Sequence, residues 1–296
     1  MKIFDCFMYF DEEVVLDLRL NILNNYVDYF VIVESCFNHN GEKRDLKFNH
    51  KKFEKYKNKI IYKVYNENLS EIKKISHKDN EKEKSKKYNF NAYLRENSQR
   101  NFIMAGLNKA NDEDMILISD VDEIPNLKNL NFNNINEKLI FFKQDMFYYK
   151  FNLKLPNLIW TGTKACKKKY LLSPQWLRNI KDKTYPFYRI DTFFSKTKYT
   201  NIHFVNEGGW HFTNIKNAEE IRKKLKSYLH HREFDINPLS IEDINEIIKD
   251  KIAIYDLKVD KRTSKIGKGS QLEKISINKL PYYLQNNIEK YNEWID

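Results

Sequence analysis

Two aspartates separated by one residue stand directly after an apolar run. The run is Met115–Ser119, and Asp120 and Asp122 follow it. A short apolar run of this kind, preceded by helix-like sequence, is typical of a buried parallel strand. Open α/β sheets bind ligands at the carboxyl ends of such strands, and carboxylate oxygens suit Mg²⁺, which usually shares itself with substrate phosphates. The pair therefore predicts a site for a divalent metal and a diphosphate.

Four further polar side chains are expected near the same edge of the sheet. Arg100 and Asn101 stand on the preceding helix, and arginine can bind phosphate through two hydrogen bonds. Glu34 ends an earlier strand, where a carboxylate can accept hydrogen bonds from a ribose, and Asp11 follows the first strand. We expect all four to contact a nucleotide; the alternatives are a surface ion pair for Arg100 and solvated acids for Glu34 and Asp11.

A histidine far along the chain is the remaining candidate ligand. His211 lies between Trp210 and Phe212 and follows Gly208 and Gly209. Neutral imidazole is a common metal ligand, and glycines permit a close approach of the backbone to a ligand. We predict that Asp120, Asp122 and His211 bind the metal, with a buried core histidine as the alternative.

The first half of the chain predicts a parallel sheet. Strands are expected at Ile3–Phe10 and Tyr29–Val33, with a helix opened by the acidic residues 11–13 between them, which makes a βαβ unit. A third strand is expected at Ile60–Val64. The Lys- and Glu-rich stretch Ser70–Lys87 predicts a mobile loop, and a helix should follow from about Tyr93 to Ala110.

The second half predicts shorter strands and then helices. Strands are expected at Leu139–Phe142, Met146–Phe151 and Asn201–Val205, and helices should begin at Asn217, Ser240 and Pro281. The basic segment Lys258–Lys268 predicts a loop. We expect a catalytic domain over residues 1–230, with a nucleotide-binding part to about 125 and an acceptor part over about 126–230. Residues 231–296 should form a helical extension packed on it.

Composition limits the class of protein and its surroundings. Aromatic residues make up 15% of the 296 residues and exclude a disordered chain. The net charge of +11 favours an anionic partner such as a nucleotide, a phosphorylated lipid or a membrane surface. Three scattered cysteines favour a reducing compartment. With no signal-peptide pattern and no apolar run near ~20 residues, we expect a cytoplasmic protein with at most peripheral membrane contact.

Several motifs together resemble one enzyme family. They occur in family order and cover most of residues 1–230: Asp28–Glu34, Gly41–Glu42, Leu46–Phe48, Gln99–Asn101, Asp120–Pro125 and Gly209–Phe212. The combination of Asp-x-Asp-Glu-Ile-Pro with Gly-Trp-His is more specific than either half alone. The chain resembles glycosyltransferase family 17, the family of the enzyme that adds the bisecting N-acetylglucosamine to N-glycans.

The resemblance implies a fold, a donor and a stereochemical course. It implies a GT-A type α/β fold with a Rossmann-like, mostly parallel sheet flanked by helices, a divalent metal (Mn²⁺ or Mg²⁺), and a UDP-sugar donor, with UDP-N-acetylglucosamine as the first expectation. Transfer should invert the anomeric carbon, and the acceptor should be a glycan or a lipid-linked saccharide. In this scheme Asp122 binds the metal, Asp120 binds ribose or the metal, and Glu34 holds the nucleoside.

Inversion requires a base near the acceptor hydroxyl. Glu207 is the first candidate because it adjoins the glycine turn before His211, and Asp145, Asp191 and Glu123 are further candidates. Two other functions stay open. A nucleotidyltransferase also uses carboxylates at strand ends, and a basic nucleic-acid-binding protein is compatible with the charge. No recognised nucleic-acid motif is present, so nucleic acid is not an expected partner.

Overall fold

The computed structural model describes residues 1–183, 185–186, 188–192, 194–228, 231–255 and 269–296. The strands form one mixed sheet: β1 (Ile3–Tyr9), β2 (Tyr29–Ser35), β3 (Ile60–Tyr65), β4 (Met115–Asp120), β5 (Glu123–Pro125), β6 (Leu139–Tyr148), β7 (Leu153–Lys167), β8 (Ile202–Val205), β9 (Gly209–Thr213) and β10 (Glu273–Lys274). The α-helices are α1 (Glu13–Leu23), α2 (Glu81–Asn101), α3 (Pro174–Asn179), α4 (Ala218–Ser227), α5 (His231–Ile236), α6 (Ile241–Lys249) and α7 (Tyr282–Gln285).

Four parallel strands form the first half of the sheet, in the order β3-β2-β1-β4. Their side chains alternate between two apolar layers. Phe7 and Ile32 face the layer that includes α1, whereas Cys6 and Val31 face the layer that includes Ile103. Burial on both faces explains why these strands are continuous apolar runs. The predicted α/β fold with a mostly parallel sheet flanked by helices is confirmed.

The second half of the sheet is mixed, with parallel and antiparallel strand pairs. β7 runs antiparallel to β4 and to β6, and β6 is parallel to β8 and β9. β9 pairs antiparallel with β5, which places His211 opposite Glu123. No sequence pattern predicted β7, because lysines, Pro156 and Gly162 interrupt its apolar residues. The two strands predicted around residues 139–151 are one strand, β6.

The glycines before His211 serve contacts between strands. Gly209 has φ +131°, and a Cβ there would lie 2.1 Å from the carbonyl oxygen of Ile124. A Cβ on Gly208 would lie 2.7 Å from the carbonyl oxygen of Val205. The close approach predicted for these glycines is therefore an approach to neighbouring backbone.

Two predicted boundaries around α2 were wrong. The helix begins at Glu81, inside the stretch predicted as a loop, because Asn80 and Glu83 form a capping box there. It ends at Asn101, and a 3₁₀ segment, Phe102–Gly106, replaces the predicted continuation to Ala110. The many charges of the first turns lie on a half-exposed helix surface, where lysine and glutamate are good helix formers.

The C-terminal part is helical but less regular than predicted. Asn217 and Ser240 cap α4 and α6 as expected, whereas the helix from Pro281 is only α7 followed by the 3₁₀ segment Ile288–Trp294. The short strand β10 adds to β7, and the predicted loop Lys258–Lys268 lies outside the described residues. The domain boundary near residue 230 stays a prediction. Within the described ranges, no helix combines the length and apolar content needed to cross a bilayer.

A buried arginine joins α1 to the end of β4. Arg19 is fully buried and contacts both carboxylate oxygens of Asp5, at 2.8 and 2.6 Å. The same guanidinium donates to the carbonyl oxygens of Asp120 (3.1 Å), Val121 (3.1 Å) and Glu123 (2.8 Å). Arg19 thus satisfies the buried backbone oxygens of the segment that carries the paired aspartates.

Replacing Arg19 by leucine should lower the free energy of unfolding by about 3–5 kcal/mol, because the variant leaves the buried charge of Asp5 unpaired. Urea unfolding followed by tryptophan fluorescence measures the loss. Lys57→Leu is the control, since Lys57 pairs with Glu54 on the surface and exposed pairs contribute little. Equal stability of the two variants would contradict the role given to Arg19.

Candidate functional site

A cavity of about 210 Å³ opens at the carboxyl ends of β1 and β4. Its walls come from the ends of these strands, the segment after β2, and helices α2 and α4. The lining residues are Met8, Tyr9, Phe10, Glu12, Phe37, Asn38, His39, Arg44, Glu96, Gln99, Arg100, Asp120, Val121, Asp122, His211, Lys224, Ser227 and Tyr228. This is the edge of the sheet at which the sequence predicted a ligand site.

Asp122 lies between two basic side chains in the cavity wall. Its Oδ1 lies 3.5 Å from His211 Nε2, and its Oδ2 lies 3.8 Å from Lys224 Nζ. Burial alone would raise the pKa of Asp122, but the charges of His211 and Lys224 outweigh it and lower that pKa. For His211, burial alone would lower the pKa. The neighbouring carboxylate of Asp122 outweighs burial, and the pKa of His211 is raised. The three groups form a polar cluster that faces the cavity, with the carboxylate of Asp122 between His211 and Lys224.

Asp120 is held by two arginines from different helices. Arg100 Nη2 donates to its Oδ1 at 3.0 Å, and Arg178 Nη2 donates to its Oδ2 at 3.1 Å. Although burial opposes ionisation, Arg178 and Arg100 hold the pKa of Asp120 well below its usual value. Arg100 is itself fixed by Glu96 and Gln175, at 2.8 and 2.5 Å. Both aspartates are therefore charged, but only Asp120 has both oxygens in short hydrogen bonds.

Glu123 is a fully buried anchor behind the aspartates. Arg178 donates to both of its oxygens, at 2.6 and 2.9 Å. Trp160 Nε1 donates to Oε1 at 2.7 Å, and the backbone N–H of Asp120 donates to Oε2 at 2.9 Å. Each carboxylate oxygen thus accepts two hydrogen bonds, and the side chain has no path to solvent. This is a setting for a structural carboxylate and not for a base that meets an acceptor.

Sequence reasoning did not predict the contacts of Arg178 and Trp160 with Glu123. Arg178 lies on the short helix α3, and Trp160 lies on β7, the two elements that the sequence did not predict. Neither residue belongs to a recognisable motif. The available signal was Glu123 itself: an acid placed directly after a buried strand needs a cationic partner.

A buried lysine supports the helix that carries Arg178. Lys164 Nζ donates to the carbonyl oxygens of Arg178 (2.7 Å) and Ile180 (2.5 Å) at the end of α3. Burial and, to a smaller extent, the charge of Arg178 lower the pKa of Lys164 to about 7, against opposing effects of Asp182 and Glu123. A neutral amine has two N–H groups, which match the two carbonyl oxygens.

Three of the predicted nucleotide-binding residues lie away from the cavity wall. Glu34 is fully buried and accepts hydrogen bonds from Arg44, Tyr62 and the backbone N–H groups of residues 47 and 48. Asp11 pairs with Lys216. Asn101 is exposed and accepts from the backbone N–H of Gln175 at 3.0 Å. Of the predicted nucleotide contacts, the structure brings Arg100 and Asp120 to the cavity.

The candidate bases also lie outside the cavity wall. Glu207 is exposed at the turn between β8 and β9, with φ +51°. Asp145 pairs with Lys154 at 2.7 Å. Asp191 pairs with Arg189 and Lys198, each at 2.7 Å. The acids that do line the cavity are Glu12, Glu96, Asp120 and Asp122.

The residues can accommodate a divalent metal only with help from a substrate. No group of three or more His, Cys, Asp or Glu side chains is arranged to hold a metal within the described residues. Asp122 Oδ1 and His211 Nε2 lie 3.5 Å apart, which is close to the separation of neighbouring ligands bound at about 2.1 Å. Mg²⁺ is commonly bound by one or two carboxylates plus substrate phosphates. The pair therefore fits a metal that a diphosphate completes.

A second cavity, of about 270 Å³, adjoins the first and shares Phe37, His39 and Gln99 with it. Its other walls are the segment after β3 and Arg95 of α2. Arg95 donates to the carbonyl oxygen of His39 at 3.1 Å and has no carboxylate partner among the residues described. Burial lowers the pKa of Arg95. The cavity thus combines apolar walls with a cation whose other N–H groups are available.

Comparison with known proteins gives one assignment. The profile of Glycosyltransferase family 17 matches residues 1–295. No curated protein matches the chain at a significant level. The family match spans the parallel strands, both cavities and the C-terminal helices.

Lys164→Met should remove a pH dependence of stability. With a pKa of about 7 in the folded protein and about 10.4 when unfolded, the unfolded chain binds more protons between these values. The contribution of Lys164 to the free energy of unfolding therefore increases as the pH rises above 7 and does not change with pH below 7. Urea unfolding at pH 6.5, 8 and 9 should show a growing difference between wild type and Lys164→Met. Lys86→Met, at an exposed position of α2, should show a constant difference; a constant difference for Lys164→Met would refute the assignment.

Proposed function

The chain belongs to glycosyltransferase family 17, and on this premise we propose that it is a metal-dependent, inverting glycosyltransferase. The family implies a nucleotide-sugar donor and a saccharide acceptor. We propose a UDP-sugar, first UDP-N-acetylglucosamine, as the donor, and a glycan or lipid-linked saccharide as the acceptor. The observation that carries the proposal is the cluster of Asp122, His211 and Lys224 at the carboxyl edge of the parallel strands.

In the proposed site, Asp122 and His211 would hold a metal whose remaining ligands come from the donor diphosphate. When bound, such a metal supplies Lewis-acid stabilisation of the charge that develops on the leaving nucleotide. Lys224 lies 3.8 Å from Asp122 and 3.9 Å from Glu12, so its ammonium can turn toward a phosphate oxygen. Asp120 keeps Arg100 and Arg178 in fixed positions beside the same cavity.

The nucleoside is assigned to the second cavity. Glu34, the residue expected to hold it, is fully buried and saturated by its own loop. The second cavity begins at the wall formed by Phe37, His39 and Gln99, and so a nucleotide with its diphosphate near Asp122 can extend into it. Phe37 and Tyr65 offer aromatic surfaces, and the unused N–H groups of Arg95 can donate to base carbonyl oxygens.

The base that takes the acceptor proton stays a prediction. Glu207, Asp145 and Asp191 were proposed for this role, and each lies outside the cavity in the described conformation. Glu207 alone among them has no ion pair among the residues described, and it stands on an exposed turn that an acceptor can approach. We retain it as the first candidate for that reason.

The family assignment also decides among the functions considered from sequence. It supports glycosyl transfer and gives no support to a nucleotidyltransferase or a nucleic-acid-binding protein. Product analysis separates the two enzyme classes, because sugar transfer releases UDP whereas nucleotidyl transfer releases pyrophosphate.

Asp122→Ala should lower UDP release from UDP-N-acetylglucosamine at least about 100-fold, because the loss of a metal contact removes several kcal/mol of transition-state stabilisation. The assay uses a panel of UDP-sugars with Mn²⁺ and with a chelator, and the chelator should reduce wild-type turnover to the level of the variant. Asp235→Ala, at an exposed position of α5, is the matched control. Near-normal turnover of Asp122→Ala would exclude the metal assignment.

Arg95→Leu should weaken inhibition by UDP about 10- to 100-fold, since hydrogen bonds from a charged donor contribute about 1.5–3 kcal/mol. Inhibition by inorganic pyrophosphate should not change, because Arg95 is assigned to the nucleoside. Competition assays against the donor measure both constants, with Lys86→Leu on the same helix as the control. Equal weakening of UDP and pyrophosphate would place Arg95 at the phosphates and contradict the nucleoside assignment.

A further inference from the structure

The imidazole of His211 lacks the hydrogen bond that usually orients a metal-binding histidine. The side chain is buried, and its Nδ1 has no hydrogen-bond partner among the residues described. Metal-binding histidines almost always donate the other ring N–H to a carboxylate, a carbonyl or water, and that bond fixes the ring. Another contact must therefore keep Nε2 directed at Asp122.

Trp160 provides the contact with the His211 ring. The two ring centroids lie 5.4 Å apart, with an angle of 41° between the ring planes. Trp160 comes from β7, whereas His211 comes from β9, and β6 lies between these strands in the sheet order. Trp160 is not among the residues that line the first cavity, whereas its indole contacts the His211 ring.

The indole is itself fixed by Glu123. Trp160 Nε1 donates to Glu123 Oε1 at 2.7 Å, and Glu123 is fully buried. Arg178 binds both oxygens of that carboxylate, and the N–H of Asp120 binds one of them. Rotation of the indole would break a charge-assisted hydrogen bond inside the protein, where an unmade bond is costly.

We infer that Trp160 is a positioning residue for His211. Glu123, bound by Arg178, holds the indole, and the tilted contact with the indole holds the imidazole with Nε2 toward Asp122. Packing thus replaces the missing hydrogen bond at Nδ1. The importance of this orientation for metal binding rests on the proposed function, whereas the orientation itself does not.

The test combines two readouts on purified protein without donor. Trp160→Phe keeps an aromatic face but loses the N–H, and Trp160→Leu loses both. Mn²⁺ affinity, measured by electron paramagnetic resonance with the protein saturated with UDP, should fall about 10- to 100-fold, as for other residues that orient metal ligands. In metal-free protein, NMR should show that the His211 ring loses its nuclear Overhauser contacts to residue 160 and samples more than one rotamer.

Trp176→Phe is the matched control, because its indole N–H donates to the carbonyl oxygen of Lys196 at 2.9 Å, on the exposed side of α3. It should leave both readouts unchanged. Thermal unfolding identifies variants that do not fold, and Trp160→Phe remains informative where Trp160→Leu fails. An unchanged His211 ring in folded Trp160→Phe overturns the inference. Absence of Mn²⁺ binding by the wild type in the presence of UDP would instead refute the metal in the proposed function, and the ring readout would still decide the inference.

Discussion

The site depends on one buried guanidinium. Arg19 is enclosed in the layer between α1 and the sheet, and it contacts the carbonyl oxygens of Asp120, Val121 and Glu123. The chain leaves the β4 ladder at this point, so these oxygens need another donor if they are to stay buried. A buried arginine is costly unless its charge is paired, and Asp5 on the adjacent strand β1 supplies that pairing. Arg19 and Asp5, which lie in the core and outside the cavity wall, thus fix the backbone that carries the paired aspartates.

The two aspartates differ in how their neighbours satisfy them. Asp120 has short hydrogen bonds from Arg100 and Arg178, at 3.0 and 3.1 Å. Asp122 has only longer contacts, at 3.5 Å to His211 and 3.8 Å to Lys224. Two carboxylates in one site can take different roles because of such environments. Asp120 belongs to a closed network that fixes position, whereas Asp122 keeps coordination capacity for a ligand.

Patterns of apolar residues predicted the strands that bear Asp120 and Glu34, because β1, β2 and β4 are buried on both faces. Local capping signals predicted the starts of α4 and α6. No apolar pattern marks β7, and α3 has only the capping signal of Ser173 and Pro174 before a helix of six residues. These two elements supply Trp160, Lys164 and Arg178. Glu34 shows, at a single residue, what local sequence patterns cannot predict. Its place at a strand end was predictable, but the fold of the segment from Arg44 to Phe48 over its carboxylate depends on contacts distant in sequence.

The pairing of charges around the cavity also explains how a site that is already rich in buried charge can accept a charged ligand. Arg100 and Arg178 are neutralised by Asp120, Glu96 and Glu123, so they contribute oriented hydrogen bonds at a small net charge. Lys224 is the looser cation, placed between Asp122 and Glu12 at contact distances near 4 Å. An entering diphosphate with a metal ion would therefore find a rigid wall on the Asp120 side and adjustable partners on the Asp122 side. A wall that is already ordered requires little reorganisation during reaction, and the buried Arg19 keeps it ordered before any ligand arrives.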